Sequence, residues 1–295
     1  FSRHALLYTE MLTSAALLHG DTERLLRYNP EEQPLGIQLG GCDPEQLAAA
    51  ALLAEEAGYR EINLNIGCPS DRVQSGRFGA CLMAEPALVA QCVAAIRGRV
   101  QLPVTVKCRI GIDTMDSDEF LAAFIDTVAA AGCELFIVHA RIAVLEGLTP
   151  KQNREVPPLN YARVARMKER FRDLRFILNG GITDLAEGLT LLDEFDGIMV
   201  GREAYNNPYT LASVDPMLFQ DPPAGWSRLD YLNRFVPYVR EQLSEGVPLQ
   251  HLTRHILGLF RGQPGGRQFR RHLSQNAHRR DAGIEVLLDA MSYVS

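Results

Sequence analysis

Short, nearly unbroken apolar runs alternate with polar turns and amphipathic stretches over the first two-thirds of the chain. Seven runs read as strands, at residues 5–11, 35–39, 61–67, 104–110, 135–141, 176–180 and 197–201. Such runs suit parallel strands buried on both faces. The intervening segments carry helix punctuation. Asp43 is placed to cap a helix with Pro44 at its first position and Gln46 at the capping-box position, and Gly58 ends it. Asp116 with Glu119 opens a second helix, closed by Gly132, and Asp184 with Glu187 opens a third. Alternating β and α elements predict an α/β fold with a parallel sheet. A closed (β/α)8 TIM barrel has eight strands. Seven are legible, and the chain opens at Phe1 rather than Met, so a first strand is expected upstream. The alternative is an open, doubly wound sheet.

The pattern changes after Tyr205. Residues 206–227 are rich in Pro and Asp and read as a linker. Beyond them no strand pattern recurs, and residues 231–245, 251–260, 267–278 and 282–294 read as helices. The expected organisation is a barrel over 1–205, N-terminally truncated, a linker over 206–227, and a small all-helical C-terminal domain over 228–295.

Charge sharpens this division. The formal net charge is −6. Residues 251–280 contain seven arginines and no Asp, Glu or Lys, so that stretch carries +7 and the remainder −13. A basic block on an acidic protein suits a polyanion. The alternative is a solvated face, but solvated helices ordinarily mix signs. No apolar run is long enough to span a bilayer, and no secretory signal opens the sequence. The six cysteines form no C-x-x-C pair and no zinc-site spacing, which predicts reduced thiols in the cytoplasm and no metal.

Candidate chemistry lies at the strand carboxyl ends, where barrels place their sites. These ends hold Gln38, Asn65 with Cys68, Lys107 with Arg109, His139 with Arg141, Asn179-Gly180-Gly181 and Gly201-Arg202. The last two motifs occupy the loops where barrels bind phosphate. Glycines admit backbone N–H groups to phosphate oxygens, and arginine adds a bidentate contact. The bland alternative is two tight turns. A phosphate site with Gln38, Lys107 and His139 suggests a phosphorylated cofactor, and FMN fits. Only three lysines exist, Lys107, Lys151 and Lys168. One inside a strand calls for a chemical explanation, because burying a lysine is costly. A Schiff base on Lys107 is the rival use.

The run Asn63-Leu64-Asn65-Ile66-Gly67-Cys68-Pro69-Ser70 resembles the active-site signature of the tRNA-dihydrouridine synthases. The motifs Tyr8-Thr9-Glu10-Met11, Gln38-Leu39-Gly40, Val106-Lys107, His139-Ala140-Arg141, Asn179-Gly180-Gly181-Ile182 and Gly201-Arg202 agree in order. Residues 148–159 and the tail from Arg254 to Arg271 are most similar to the bacterial A-type members. The resemblance implies a flavoprotein that reduces uridine to dihydrouridine in the tRNA D-loop with NADPH, at positions 20/20a for the A type. It implies that Gln38, Lys107, His139, Asn179, Gly180, Gly181, Gly201 and Arg202 hold FMN. Cys68 would be the proton donor, and Asn65, Lys151, Arg154, Arg267 and Arg270 would touch tRNA. An ordinary thiol, with a pKa of about 8.5, is mostly protonated at neutral pH and suits that role. A buried hydrophobe is the bland fate of a lone cysteine, and the other five are read that way. A monomer without membrane attachment is expected. A flavin-free protein that only binds tRNA is the remaining alternative.

Overall fold

Seven parallel strands form one sheet in the computed structural model, which describes residues 1–70, 73–74 and 76–295. They are β1 (Leu7–Thr13), β2 (Leu35–Gly40), β3 (Glu61–Ile66), β4 (Val104–Arg109), β5 (Leu135–His139), β6 (Arg175–Asn179) and β7 (Gly197–Met199). Each expected strand is present, with no end displaced by more than two residues. Each strand pairs with the next in sequence, in the order β1-β2-β3-β4-β5-β6-β7. A doubly wound sheet reverses its order at a switch point, so that alternative is excluded. The order is the singly wound one of barrels.

The strands are not apolar on both faces, as their sequences suggest. Side chains alternate along a strand, and Glu61–Ile66 alternates strictly. Register places Glu61, Asn63 and Asn65 beside Gly36 and Gln38 of β2 and beside Thr105 and Lys107 of β4. Arg109 continues this face to His139 of β5, and His139 to Asn179 of β6. Ile62, Leu64 and Ile66 point the other way and are buried with Leu39, Val106 and Cys108. That apolar face belongs to the same core as Leu47, Val93, Phe124 and Val164 of the crossover helices.

Local chemistry sets the helix ends. The Asp43 carboxylate accepts from Gln46 N–H at 2.9 Å, opening the helix Pro44–Glu56. Gly58 (φ 92°) and Gly132 (φ 100°) follow helices in the left-handed region, where glycine alone is unstrained. One expected cap is displaced. Ser117, not Asp116, caps the helix Asp118–Ala130, its hydroxyl accepting from Phe120 N–H at 3.1 Å. The Asp116 carboxylate is instead engaged by Arg163.

The chain divides into two compact units. The sheet lies in the one built from Leu6–Ile182 and Ala186–Met199. The other comprises Phe1–Ala5, Thr183–Leu185 and Val200–Ser295. It is helical, and its core gathers Leu232, Val239, Leu252, Phe260, Phe269 and Leu287. Its main helices are Arg228–Ser244, Leu249–Thr253, Gly266–Asn276 and Ile284–Met291. The helix expected over 251–260 stops at Thr253, and turns follow. Within 206–227, a 3-10 turn spans Pro208–Ser213 and a short helix Val214–Leu218. Among the described residues no helix is long and apolar enough to cross a membrane.

Candidate active site

The polar sheet face carries a continuous hydrogen-bond network. Gln38 donates from Nε2 to Asn63 Oδ1 at 2.8 Å and accepts from Asn65 Nδ2 at 2.7 Å. Asn65 Oδ1 in turn accepts the backbone N–H groups of Gly67 (3.1 Å) and Cys68 (2.9 Å). The side chain at the end of β3 therefore fixes the loop that bears the thiol. The half-buried Cys68 thiol donates to Ser70 Oγ at 3.5 Å, and Cys68 C=O accepts Ala80 N–H at 2.9 Å.

Arg109 ties this loop to two others. Its Nε donates to Gly67 C=O at 3.1 Å, and its Nη1 to Ile142 C=O at 3.1 Å and Asn153 C=O at 3.0 Å. The residue is only 3% exposed. Burial lowers its pKa to about 10, with Arg154 and Arg141 adding to the fall and Cys68 opposing it. It stays cationic at neutral pH. Asn153, fully buried, anchors the same loop by exchanging hydrogen bonds with the Val144 backbone at 2.7 and 2.8 Å.

Lys107 Nζ donates to Asn179 Oδ1 at 2.9 Å, and Asn179 Nδ2 donates to Met199 C=O at 2.8 Å. Burial, and then the positive charge of Arg109, push the Lys107 ammonium down to about 8. Gly180 (φ 109°) and Gly181 (φ 76°) both sit in the left-handed region. A Cβ at Gly180 would lie 2.4 Å from His139 Cδ2, and one at Gly181 would lie 2.4 Å from Leu159 Cδ1. The His139 ring therefore packs directly on the Gly180 backbone. Burial raises the Cys92, Cys108 and Cys133 thiols to about 12 each, and raises Cys81 as well. All six cysteines are free thiols.

Gln38, Asn65, Cys68, Lys107, His139, Asn179, Gly180 and Gly181 thus all lie in the sheet unit. Lys151 and Arg154 are exposed on its loop after β5. Gly201 and Arg202 lie in the helical unit, where exposed Gly201 precedes the short helix Arg202–Asn206. Arg267 and Arg270 are exposed on the helix Gly266–Asn276, whose Phe269 and Leu273 are buried. Arg261, from the same basic block, pairs with Glu203 at 3.1 Å. Sequence reasoning gave no role to Tyr8, Glu61, Asn63, Thr105 and Asn153, although Tyr8, Asn63 and Asn153 lie in the motifs it singled out. The polar alternation at 61, 63 and 65 is a signal that could have found two of them.

A singly wound parallel sheet bearing a lysine, a histidine and a thiol loop at its carboxyl ends defines an α/β enzyme of the barrel kind. Comparison with known proteins carries this further. The profile of the family described as "Dihydrouridine synthase (Dus)" matches residues 1–294. A tRNA-dihydrouridine(20/20a) synthase of Shewanella oneidensis is 57% identical over 286 residues, covering 97% of this chain and 85% of that protein. Proteins of the same description from Vibrio parahaemolyticus and Escherichia coli K12 are each 54% identical. They match 99% and 100% of this chain, and 90% and 85% of their own lengths. The chain belongs to the dihydrouridine synthase family. A 2-naphthoyl-CoA reductase complex is a weaker likeness, with a TM-score of 0.43 and 15% identity over 64% of this chain and 30% of that chain, and nothing about this chain follows from it.

Proposed function

We propose that the protein reduces uridine to 5,6-dihydrouridine at positions 20 and 20a of the tRNA D-loop, using FMN and NADPH. The observation that carries this reading is the gathering of Gln38, Lys107, His139 and Asn179 on one sheet face beside the Cys68 loop, in a chain of this family. The residues fit the cofactor. Gly180 and Gly181 are left-handed and pack their backbone closely against His139 and Leu159, and a glycine turn of this kind can offer backbone N–H groups to a phosphate. Lys107 supplies a cation, and Gln38 a paired donor and acceptor. From the family order of motifs, Gly201 and Arg202 are assigned to the phosphate as well. Bound FMN, recharged by NADPH, supplies hydride to C6 of the uracil ring.

The chain's own groups do the rest. Lys107 and His139 balance negative charge in the site. Cys68 donates the proton to C5, and its N–H bond to Asn65 holds the loop in place. The target base has to leave its stack, at a cost of a few kcal/mol. The helical segment 228–295 offsets this through Arg267 and Arg270 on tRNA phosphates. Lys151, Arg154 and Asn65 extend the footprint in this reading. The sheet is completed to eight strands between the edges of β7 and β1, and the enzyme acts as a cytoplasmic monomer.

The test is a visible spectrum of the purified full-length protein, followed by mass mapping of tRNA treated with it and NADPH. A yellow protein that converts uridine 20 or 20a is expected. A colourless protein that refuses added FMN overturns the cofactor assignment. Cys68→Ala is expected to keep FMN and tRNA affinity and lose most dihydrouridine formation. Full activity in that variant removes Cys68 from its role.

A further inference from the structure

We infer that Glu61, at the amino end of β3, is a positioning residue: acting through Thr105 and Asn63, it anchors the far end of the side-chain series that holds the Gln38 amide in one orientation at the carboxyl end of the sheet. The inference rests on the reading above in taking Gln38 as a cofactor contact.

The chain of bonds runs without a gap. Thr105 Oγ1 donates to Glu61 Oε1 at 2.6 Å, and Tyr8 Oη donates to the same oxygen at 2.7 Å. Asn63 Nδ2 donates to Thr105 Oγ1 at 2.8 Å, and Gln38 Nε2 to Asn63 Oδ1 at 2.8 Å. Asn65 Nδ2 then donates to Gln38 Oε1, and the N–H groups of Gly67 and Cys68 close the series on Asn65 Oδ1. Every donor points toward Glu61. Glu61, Asn63 and Thr105 are 7%, 0% and 2% exposed, so water is a poor substitute partner for the lower half of the series. Gly36 makes the Tyr8 contact possible, since a Cβ there would lie 2.9 Å from the Tyr8 ring.

The logic is one of polarity. Primary amides have nearly the same shape in either orientation, and hydroxyls both donate and accept. Asn63, Gln38, Asn65 and Thr105 could therefore sustain the series in either direction. Only the two ends are one-way. Backbone N–H groups only donate, and an ionised carboxylate only accepts. At the carboxyl end the backbone of the Cys68 loop demands an oxygen of Asn65. At the other end Glu61, while ionised, demands a proton from Thr105; burial raises its pKa, and the bonds from Thr105 and Tyr8 and the charge of Arg175 oppose that rise. With both satisfied, Gln38 presents its remaining N–H and its remaining lone pair in one fixed arrangement. Without the carboxylate, Thr105 no longer has to donate downward, and the Asn63 and Gln38 amides are held from the Asn65 end alone. The Gln38 amide then breaks from its partners more often where the cofactor would be read.

A core network that merely satisfied buried groups would show its loss in stability alone. The test cuts the series where the volume barely changes. Thr105→Val removes the hydroxyl, Thr105→Ser restores it, and Glu61→Leu removes the acceptor should the valine variant fail to fold. The first readout needs no cofactor. Side-chain amide hydrogen exchange of Gln38 and Asn65 is followed by NMR in protein labelled with 15N at Asn and Gln. The second is the Kd for FMN from fluorescence titration. Thr105→Val and Glu61→Leu are expected to speed exchange of the Gln38 amide by roughly tenfold and weaken FMN binding by a similar factor, as loss of one oriented hydrogen bond would. Thr105→Ser is expected to return both to within about threefold of the wild type. A folded Thr105→Val or Glu61→Leu protein with both readouts within about threefold of the wild type overturns the inference. A wild-type protein that takes up no FMN refutes the cofactor reading instead, and the exchange measurement still decides the role of Glu61 in orienting the amides.

Discussion

Arg109→Met would remove a guanidinium while keeping most of the volume of its stem. Three charge-assisted bonds go with it, to the carbonyls of Gly67, Ile142 and Asn153. Each such bond contributes roughly 1.5–3 kcal/mol, so the gross loss is about 5–9 kcal/mol. Burying the cation costs several kcal/mol of hydration, which the substitution returns. The net expectation is a loss of about 3 kcal/mol, concentrated where the three loops meet. Local opening would become roughly a hundredfold more frequent there. Hydrogen exchange is the assay, because the loss is local to the loops that Arg109 joins. The amides of Cys68 and Val144, which donate to Asn65 and Asn153, should exchange roughly a hundredfold faster. Amides in the core of the helical unit should not change. Cys68 and Val144 exchanging within about threefold of the wild type would refute the account of Arg109 as the tie between these loops.

Gly180→Ala should cost about 2–4 kcal/mol, combining left-handed backbone strain with collision on the His139 ring; an unchanged denaturation profile and an unmoved His139 NMR signal would contradict this. Lys107 binds a proton less readily when folded, at about 8 against an ordinary 10.5. The unfolded state therefore holds more protons between those values, and Lys107 makes stability rise with pH across that window, by about 1 kcal/mol between pH 7 and 9. The difference in unfolding free energy between wild type and Lys107→Met should show that slope, and a flat difference would rule out the depressed ammonium. Replacing Arg267 and Arg270 together by Ala should weaken tRNA binding and make its salt dependence shallower by about two ions, whereas unchanged affinity and slope would remove the tail from the tRNA footprint.

The strands were legible because their apolar runs are bounded by Gly, Pro and Asp. Their faces were not. Glu61–Ile66 is buried on both faces as expected, but reading it as a nearly continuous apolar run overlooked its strict alternation, and with it the polar face. Alternation with Asn63 and Asn65 places Glu61 on that face, but its partners Tyr8 and Thr105 come from other strands and leave no local sign. The cap at Ser117 illustrates the same limit. Asp116 is as good a cap in isolation, but Arg163, 47 residues on, takes its carboxylate. Charge counting within the basic block likewise could not see Glu203 waiting for Arg261. Gln38, Asn65, Lys107, His139 and Asn179 share one face of the sheet because alternation and chain order alone bring them there. What escaped was everything set by contacts between distant segments.

The two faces of the sheet impose different tolerances on the gene that encodes it. Outward residues such as Ile62, Leu64 and Val106 meet helices through dispersion alone, so swaps that conserve volume should be accepted there, and drift can proceed one position at a time. Inward residues from Glu61 to Asn65 are joined in series, and a change at any link alters what the next can donate or accept. Divergence on that side should come in coordinated sets or not at all.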